Sequence, residues 1–252
     1  VYRVFAQMEL SQYNLSSIRH AIGAGEPLNP EVIKVWKEAT GADIYDGYGQ
    51  TETINIVANY PCVPVRPGSM GKPVPGVDVQ IVDDNGKQVD VDAIGHIAVR
   101  ITDPLQPGMF PGYWEDDEAT AKCFKNGWYL TGDNGTVDAD GYFWFVGRSD
   151  DIITSSGYRI SPFEVESSLL EHPAVLESAA IGKPDEMRGE IVKAFIILAE
   201  GYQASDELTV EIQNFMKQHT APYKYPREIE YVDALPKTIS GKIRRVELRQ
   251  NS

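Results

Sequence analysis

The first sixty residues constrain the fold most, because apolar runs and breakers alternate there at the spacing of a β-α-β unit. Ile18 to Gly25 reads as a short strand and turn ending in Gly23-Ala24-Gly25-Glu26-Pro27. Asn29-Pro30 then opens a helix, since proline at the first helical position gives up only an N–H that would have no partner there. That helix runs from Pro30 to about Thr40 and turns Val32, Ile33, Val35 and Trp36 toward a core. Gly41 closes it, and Ala42 to Tyr45 is a second strand. Strand, helix, strand and loop is the rhythm of an α/β layer whose loops at strand ends carry ligands.

The next segment, Asp46-Gly47-Tyr48-Gly49-Gln50-Thr51-Glu52, reads as a glycine-punctuated turn. Two glycines let a ligand approach the backbone, Thr51 can donate to a phosphoryl oxygen, and Glu52 can hold Mg²⁺. From Pro61 to Val146 prolines and glycines interrupt short runs such as Val77 to Val82, His96 to Ile101 and Phe143 to Val146. These predict antiparallel strands of a small barrel or a distorted sheet. Asp83 to Gly86 and Asp138 to Gly141 are hairpin-turn signals, and neither continues into a full calcium-binding loop.

Beyond Gly147 helices alternate with strands. Ser161-Pro162 starts a helix with Val165, Leu169 and Leu170 on one face, stopped by His172-Pro173. Val175 to Ile181, Val192 to Leu198 and Glu228 to Val232 read as strands, with a helix from about Ser205 to Gln218 before the last. The predicted architecture is multidomain: an α/β segment over 1–60, a β-barrel-like, β-rich part over 61–147, and a small α+β domain over 148–252.

A net charge of −14 leaves no cheap way to build a long basic face, which argues against nucleic acid as a partner. Anionic ligands must meet local cations, of which Arg148, Arg159, Arg188, Arg227 and Lys242 lie outside acidic runs. Two cysteines without framework spacing suit a reducing cytoplasm, and four scattered histidines lack metal-site spacing. No apolar run approaches the roughly 20 residues that span a bilayer. The chain opens at Val1 without an initiator methionine, as a piece of a longer polypeptide would.

Four further motifs follow in order: Tyr129-Leu-Thr-Gly-Asp133, Gly147-Arg-Ser-Asp-Asp151, Ser156-Gly-Tyr-Arg159 and Pro236-Lys-Thr-Ile-Ser-Gly-Lys242. Taken singly, each has an ordinary reading as a turn, a surface ion pair or a solvated lysine. With Asp46 to Glu52, the series resembles the later motifs of the adenylate-forming enzymes, specifically the acyl-CoA synthetases. Ala221 to Arg227 is similar to the medium-chain and benzoate-type branch.

The resemblance implies an acid–thiol ligase that uses ATP, Mg²⁺ and coenzyme A to activate a small carboxylic acid through an acyl-adenylate. It implies that Gly25, Glu26 and Pro27 pack against adenine. Asp46, Gly47, Tyr48, Gly49, Gln50 and Thr51 line the nucleotide, with Glu52 on the metal. Asp133 fixes the ribose hydroxyls and Arg148 touches the nucleotide. Asp150 is the hinge of the mobile small domain. Ser156, Gly157 and Tyr158 border the pantetheine path, and Arg159 reaches phosphate. Lys242 stabilises the adenylation transition state. Arg188, Lys217, Tyr225 and Arg227 occupy places that contact the CoA nucleotide.

Acetate-specific relatives carry tryptophan where this chain has Gly49, so the resemblance points to a medium-chain, branched or aromatic acid. The lysine-ended phosphate loop of the family is missing from these residues and belongs upstream, which makes the chain the later half of an enzyme and inactive alone. An adenylating enzyme with another acceptor, or a non-catalytic nucleotide- or CoA-binding fragment, is the alternative. A homodimer and acetylation of Lys242 stay open.

Overall fold

A computed structural model describes residues 1–239 and 241–250. It divides into two compact units, Val1–Phe145 and Val146–Ser252.

Unit 1 opens with a short helix, α1 (Tyr2–Phe5), a 3₁₀ turn at Leu10–Gln12, strand β1 (Ala21–Ala24) and helix α2 (Pro30–Thr40). The α2 boundaries follow from its caps. Asn29 Oδ1 accepts the Glu31 N–H at 2.7 Å, Pro30 follows, and Gly41 takes left-handed backbone at the end. Ile33 and Trp36 are buried, and Trp36 joins Leu10, Ala21 and Ile44 in a small core beneath the helix. β2 (Ile44–Gln50) pairs parallel with β1, completing the β-α-β unit.

The sheet continues through β3 (Ile54–Ala58), β4 (Ser69–Pro73), β5 (Val79–Val82), β6 (Gly95–Arg100), helix α3 (Asp117–Cys123), β7 (Phe124–Lys125), β8 (Trp128–Val137) and β9 (Phe143–Arg148). Its order is β1-β2-β3-β4-β9-β8-β6-β5, with β7 beside β8. The barrel-like expectation for 61–147 is therefore corrected: among the described residues the strands form no closed barrel. β4 pairs with β3, so they extend the open sheet begun by the α/β layer. The second core, with Ile56, Val57, Ile81, Ile97, Val99 and Tyr129, draws on both segments, which explains why no break in the sheet separates them.

Unit 2 carries β10 (Ile153–Ser155), β11 (Tyr158–Ile160), α4 (Pro162–Leu169), β12 (Val175–Asp185), β13 (Gly189–Leu198), α5 (Asp206–His219), β14 (Glu228–Tyr231) and α6 (Arg245–Gln250). β12 and β13 form a long antiparallel hairpin, and β14 lies parallel to β13. Successive residues of a strand face opposite sides of a sheet. Ala180, Ala194 and Ile196 accordingly join Val165, Leu169, Ile212 and Met216 of α4 and α5 in one core. Ala179, Ile181 and Phe195 join Leu235 and Leu248 in another. Both faces are covered, so these strands read as continuous apolar runs. Ser161 and Ser205 cap α4 and α5, accepting from Glu164 N at 3.1 Å and Leu208 N at 3.1 Å.

Candidate functional site

Most of the Asp46–Glu52 segment is strand and not a turn: β2 runs through Gln50, with a register shift between Tyr48 and Gly49, and the turn is Thr51–Thr53. Glycine there satisfies the sheet. A Cβ on Gly49 would lie 1.8 Å from the Ile54 carbonyl oxygen, so β2 and β3 could keep this close approach with a side chain there only if the backbone shifted. The bareness of Gly49 thus has a local cause that operates with no ligand present.

Asp133 also sits within a strand, β8, rather than on a tight turn. It is buried, and its Oδ2 accepts the Tyr48 hydroxyl at 2.6 Å and the Gln50 amide at 3.0 Å. The same Gln50 nitrogen donates to the Thr131 carbonyl at 2.8 Å, and Gln50 Oε1 accepts from the Tyr129 hydroxyl at 2.9 Å. The tip of β2 is thereby fastened across the sheet to one stretch of β8. Burial, then the negative Asp133 beside it, raises the Tyr48 phenol well above its ordinary value, keeping it a donor. Burial and the charge of Glu52 raise Tyr129 likewise.

Asp46 is buried, its Oδ1 has no hydrogen-bond partner, and burial pushes its carboxyl up to about 6 against hydrogen bonds from the Leu28 and Gly47 backbone. The register pairs Gly23 with Asp46 and Ala24 with Gly47, which sets the Gly25-Glu26-Pro27 segment beside this carboxyl. Glu26 pairs with Arg3 at 3.0 Å. Thr51 is exposed, and Glu52 Oε1 accepts the Tyr113 hydroxyl at 2.9 Å. Unit 1 therefore gathers Asp46, Tyr48, Gln50 and Asp133 around β2 and leaves Thr51 and Glu52 at the turn that follows it.

In unit 2 the predicted residues lie on turns and strand ends. Arg148 and Asp150 form an exposed pair at 3.6 Å, the ordinary reading of that motif. Ser156 and Gly157 form the β10–β11 turn, with φ of +50° and +83°, a mirror-image hairpin turn that favours glycine at its second position. Tyr158 stacks on Tyr223 at 4.1 Å, and Arg159 is exposed on β11. Arg188 donates to Ser156 Oγ at 3.0 Å. Lys217 and Arg227 flank the Tyr225 ring at 4.4 and 5.0 Å. Lys242 is exposed in a loop whose backbone folds on itself: Lys242 N donates to Thr238 Oγ1 at 3.0 Å and Thr238 N to the Lys242 carbonyl at 2.8 Å. Ser240 of that motif lies outside the described residues.

Sequence reading missed Tyr129, Thr131 and Tyr113 as supports for Gln50, Asp133 and Glu52. The signal was there: Tyr129, Thr131 and Asp133 alternate, as residues on one face of a strand do. Reading Thr-Gly-Asp as a turn hid it.

Residues 1–114 match the family described as AMP-binding enzyme, and 164–242 match its AMP-binding enzyme C-terminal domain. Acyl-coenzyme A synthetase ACSM3, mitochondrial, of Mus musculus is 51% identical over 251 residues, 99% of this chain and 43% of that protein. The 4-hydroxybutyrate–CoA ligase 1 of Metallosphaera sedula is 52% identical over 250 residues, 99% of this chain and 44% of that protein. The structure of the anthranilate CoA ligase AuaEII with anthranoyl-AMP superposes with a TM-score of 0.90 at 43% identity, covering 99% of this chain and 48% of that one. The chain thus spans less than half the length of the curated relatives it matches. Among the described residues no helix is long and apolar enough to cross a membrane.

Proposed function

Because the chain belongs to the AMP-binding enzyme family, with its main-domain and C-terminal-domain matches in sequence order, we propose that it is the later part of an acyl-CoA synthetase. The whole enzyme joins a medium-chain, branched or aromatic carboxylic acid to CoA at the expense of ATP. The observation that carries this reading is the buried Asp133 carboxylate, held by Tyr48 and Gln50 at 2.6 and 3.0 Å beside a glycine-bearing strand end. A carboxylate oriented in that way can accept from both hydroxyls of a ribose.

In the first half-reaction the acid's oxygen bonds to the α-phosphorus and the bond to pyrophosphate breaks. Lys242 offsets the charge that accumulates between the two anions, and Thr51 donates to phosphate. Asp46 and the Gly25-Glu26-Pro27 segment border the adenine. Glu52 suits Mg²⁺, an ion that proteins bind through one or two carboxylates and that takes its other ligands from phosphate and water. Tyr113 holds one Glu52 oxygen and orients the other. When bound, the ion neutralises phosphate charge.

In the second half-reaction the CoA thiol attacks the acyl carbonyl and AMP leaves. Gly157 gives the pantetheine arm a bare backbone to pass. Arg188, Lys217, Tyr225 and Arg227 supply cations and an aromatic face for the CoA nucleotide. Asp150 is where unit 2 turns between the two half-reactions. Cys62 and Cys123 are both free, which suits any reducing compartment, cytoplasm or mitochondrial matrix alike.

The test is a panel of carboxylic acids with the full-length enzyme that contains this chain, following pyrophosphate and thioester separately. Both products are expected. Pyrophosphate without thioester means a different acceptor, and neither product, with AMP or CoA still binding, means a non-catalytic module.

A further inference from the structure

Lys242 stands three residues before Arg245, the first residue of α6. A helix of six residues cannot hold itself in water and depends on what it docks against. Its apolar anchor is modest, Leu248 in the smaller of the unit's two cores, with Ile243 beside it. Its charged anchors are more extensive. Arg245 Nη2 lies 2.6 and 2.7 Å from the two oxygens of Glu166 on α4, and Arg245 Nη1 lies 3.8 Å from Asp151. Arg249 Nη2 donates to Asp151 Oδ1 at 2.7 Å, and its Nη1 reaches the Asp150 carbonyl at 3.4 Å.

The carboxylates are not surface groups: Glu166 and Asp151 side chains are 10% and 13% exposed. Glu166 also accepts the Ala180 N–H of β12 at 2.9 Å, so it is tied to the sheet as well as to the helix. The loop before α6 is bonded to itself up to the residue preceding the helix. Besides the two Thr238–Lys242 bonds, Gly241 N donates to the Thr238 carbonyl at 2.9 Å and Arg244 N to the Pro236 carbonyl at 2.9 Å. Lys237 ties the near end to Glu177 at 2.6 Å.

We propose that Glu166, Asp151, Arg245 and Arg249 are positioning residues for Lys242: the carboxylates brace α6 by its two arginines, and α6 sets where the lysine's loop stands relative to the Asp150 segment. Half-buried ion pairs add little net stability over apolar packing, but they fix register and direction. An arginine held at once by two carboxylates, with Nη2 between both oxygens of Glu166 and Nη1 toward Asp151, is restricted in direction, whereas an apolar contact tolerates sliding. A lysine on a long flexible stem needs its backbone fixed if its ammonium is to arrive at a chosen point.

This inference rests on the reading of Lys242 as the adenylating lysine. It predicts unequal damage to the two half-reactions. In the full-length enzyme, Arg249→Ala and Arg245→Met are compared with the parent in three measurements. These are pyrophosphate release without CoA, thioester formation from pre-made acyl-adenylate, and thermal melting. Pyrophosphate release should fall about tenfold or more while the thioester step stays within about twofold, since misplacing a catalytic group by about an ångström carries a penalty of that order. Arg249→Lys should recover part of the loss. Should Arg245→Met fail to fold, Arg249→Ala, at the more exposed site, decides alone. Pyrophosphate release equal to the parent's, or both steps falling together with the melting temperature, overturns the brace. A parent enzyme that performs neither step overturns the acyl-CoA synthetase reading and takes this inference with it.

Discussion

Unit 1 keeps most of its candidate polar groups inside a sheet, with Thr51 and Glu52 on the turn that follows β2, whereas unit 2 displays its own on turns and strand ends. Asp46, Thr131 and Asp133 are buried among strands, and Thr131 and Asp133 are bonded to residues distant in sequence, Ile97 and Tyr48. Arg148, Gly157, Arg159 and Lys242 are exposed on hairpins and loops built from neighbouring residues. Two charged groups that unit 2 does bury, Glu166 and Lys193, are in ion pairs: Glu166 with Arg245, and Lys193 at 3.0 and 2.8 Å from Glu228 and Glu230. A preorganised binding surface and a presented side chain are thus two different solutions. The first couples ligand recognition to folding, and the second leaves the scaffold indifferent to the displayed group.

That contrast can be broken by measurement. The largest expected effect is from Asp133→Ala, which strips the acceptor from the donors Tyr48 and Gln50 and should cost unit 1 about 3 kcal/mol in urea unfolding. A loss below about 1 kcal/mol would mean that the cross-sheet network does not hold the fold.

Asp46 comes next, with a pH signature. Burial raises its folded carboxyl to about 6 from 3.8, so the fold prefers the neutral form. Stability from this group is full at acid pH below its unfolded value and is lost as pH rises through about 6. Asp46→Asn should therefore gain about 2–3 kcal/mol near pH 8 and almost nothing near pH 4. An equal gain at both pH values removes the ionisation account.

A smaller effect is expected in unit 2 from Ser161→Ala, which deprives α4 of its cap at a cost of about 1 kcal/mol in the same assay. The smallest is from Lys242→Ala, within about 0.5 kcal/mol of the parent because the side chain is exposed. In the full-length enzyme that substitution should nevertheless abolish most pyrophosphate release. Substantial destabilisation by Lys242→Ala would erase the distinction between the units.

The same contrast explains what could be read in advance. Helix α2 has the bounds expected of it because Asn29, Pro30 and Gly41 act on backbone groups within a turn of themselves. Helices α4 and α5 were legible for the same reason. The Ser156–Gly157 turn was legible too, and the β10–β11 strands beside it were not, being only three residues each. Asp46–Glu52 was misread as a turn because its glycines resemble turn residues. Gly49 is bare since the Ile54 carbonyl occupies the space of its Cβ, a partner no local pattern names. The barrel-like reading of 61–147 failed similarly: strand order depends on which edges meet.

Helix caps, turn chemistry and the order of the motifs are short-range properties, written in neighbouring residues and readable from them. The meeting of Asp133 with Tyr48 and Gln50, 85 and 83 positions apart, is not of that kind. Nor is the brace between Arg245 and Glu166, 79 positions apart. Each arises only once sheet pairing has brought distant strands or helices together, because side-chain hydrogen bonds act over a few ångströms of space and are blind to distance along the chain.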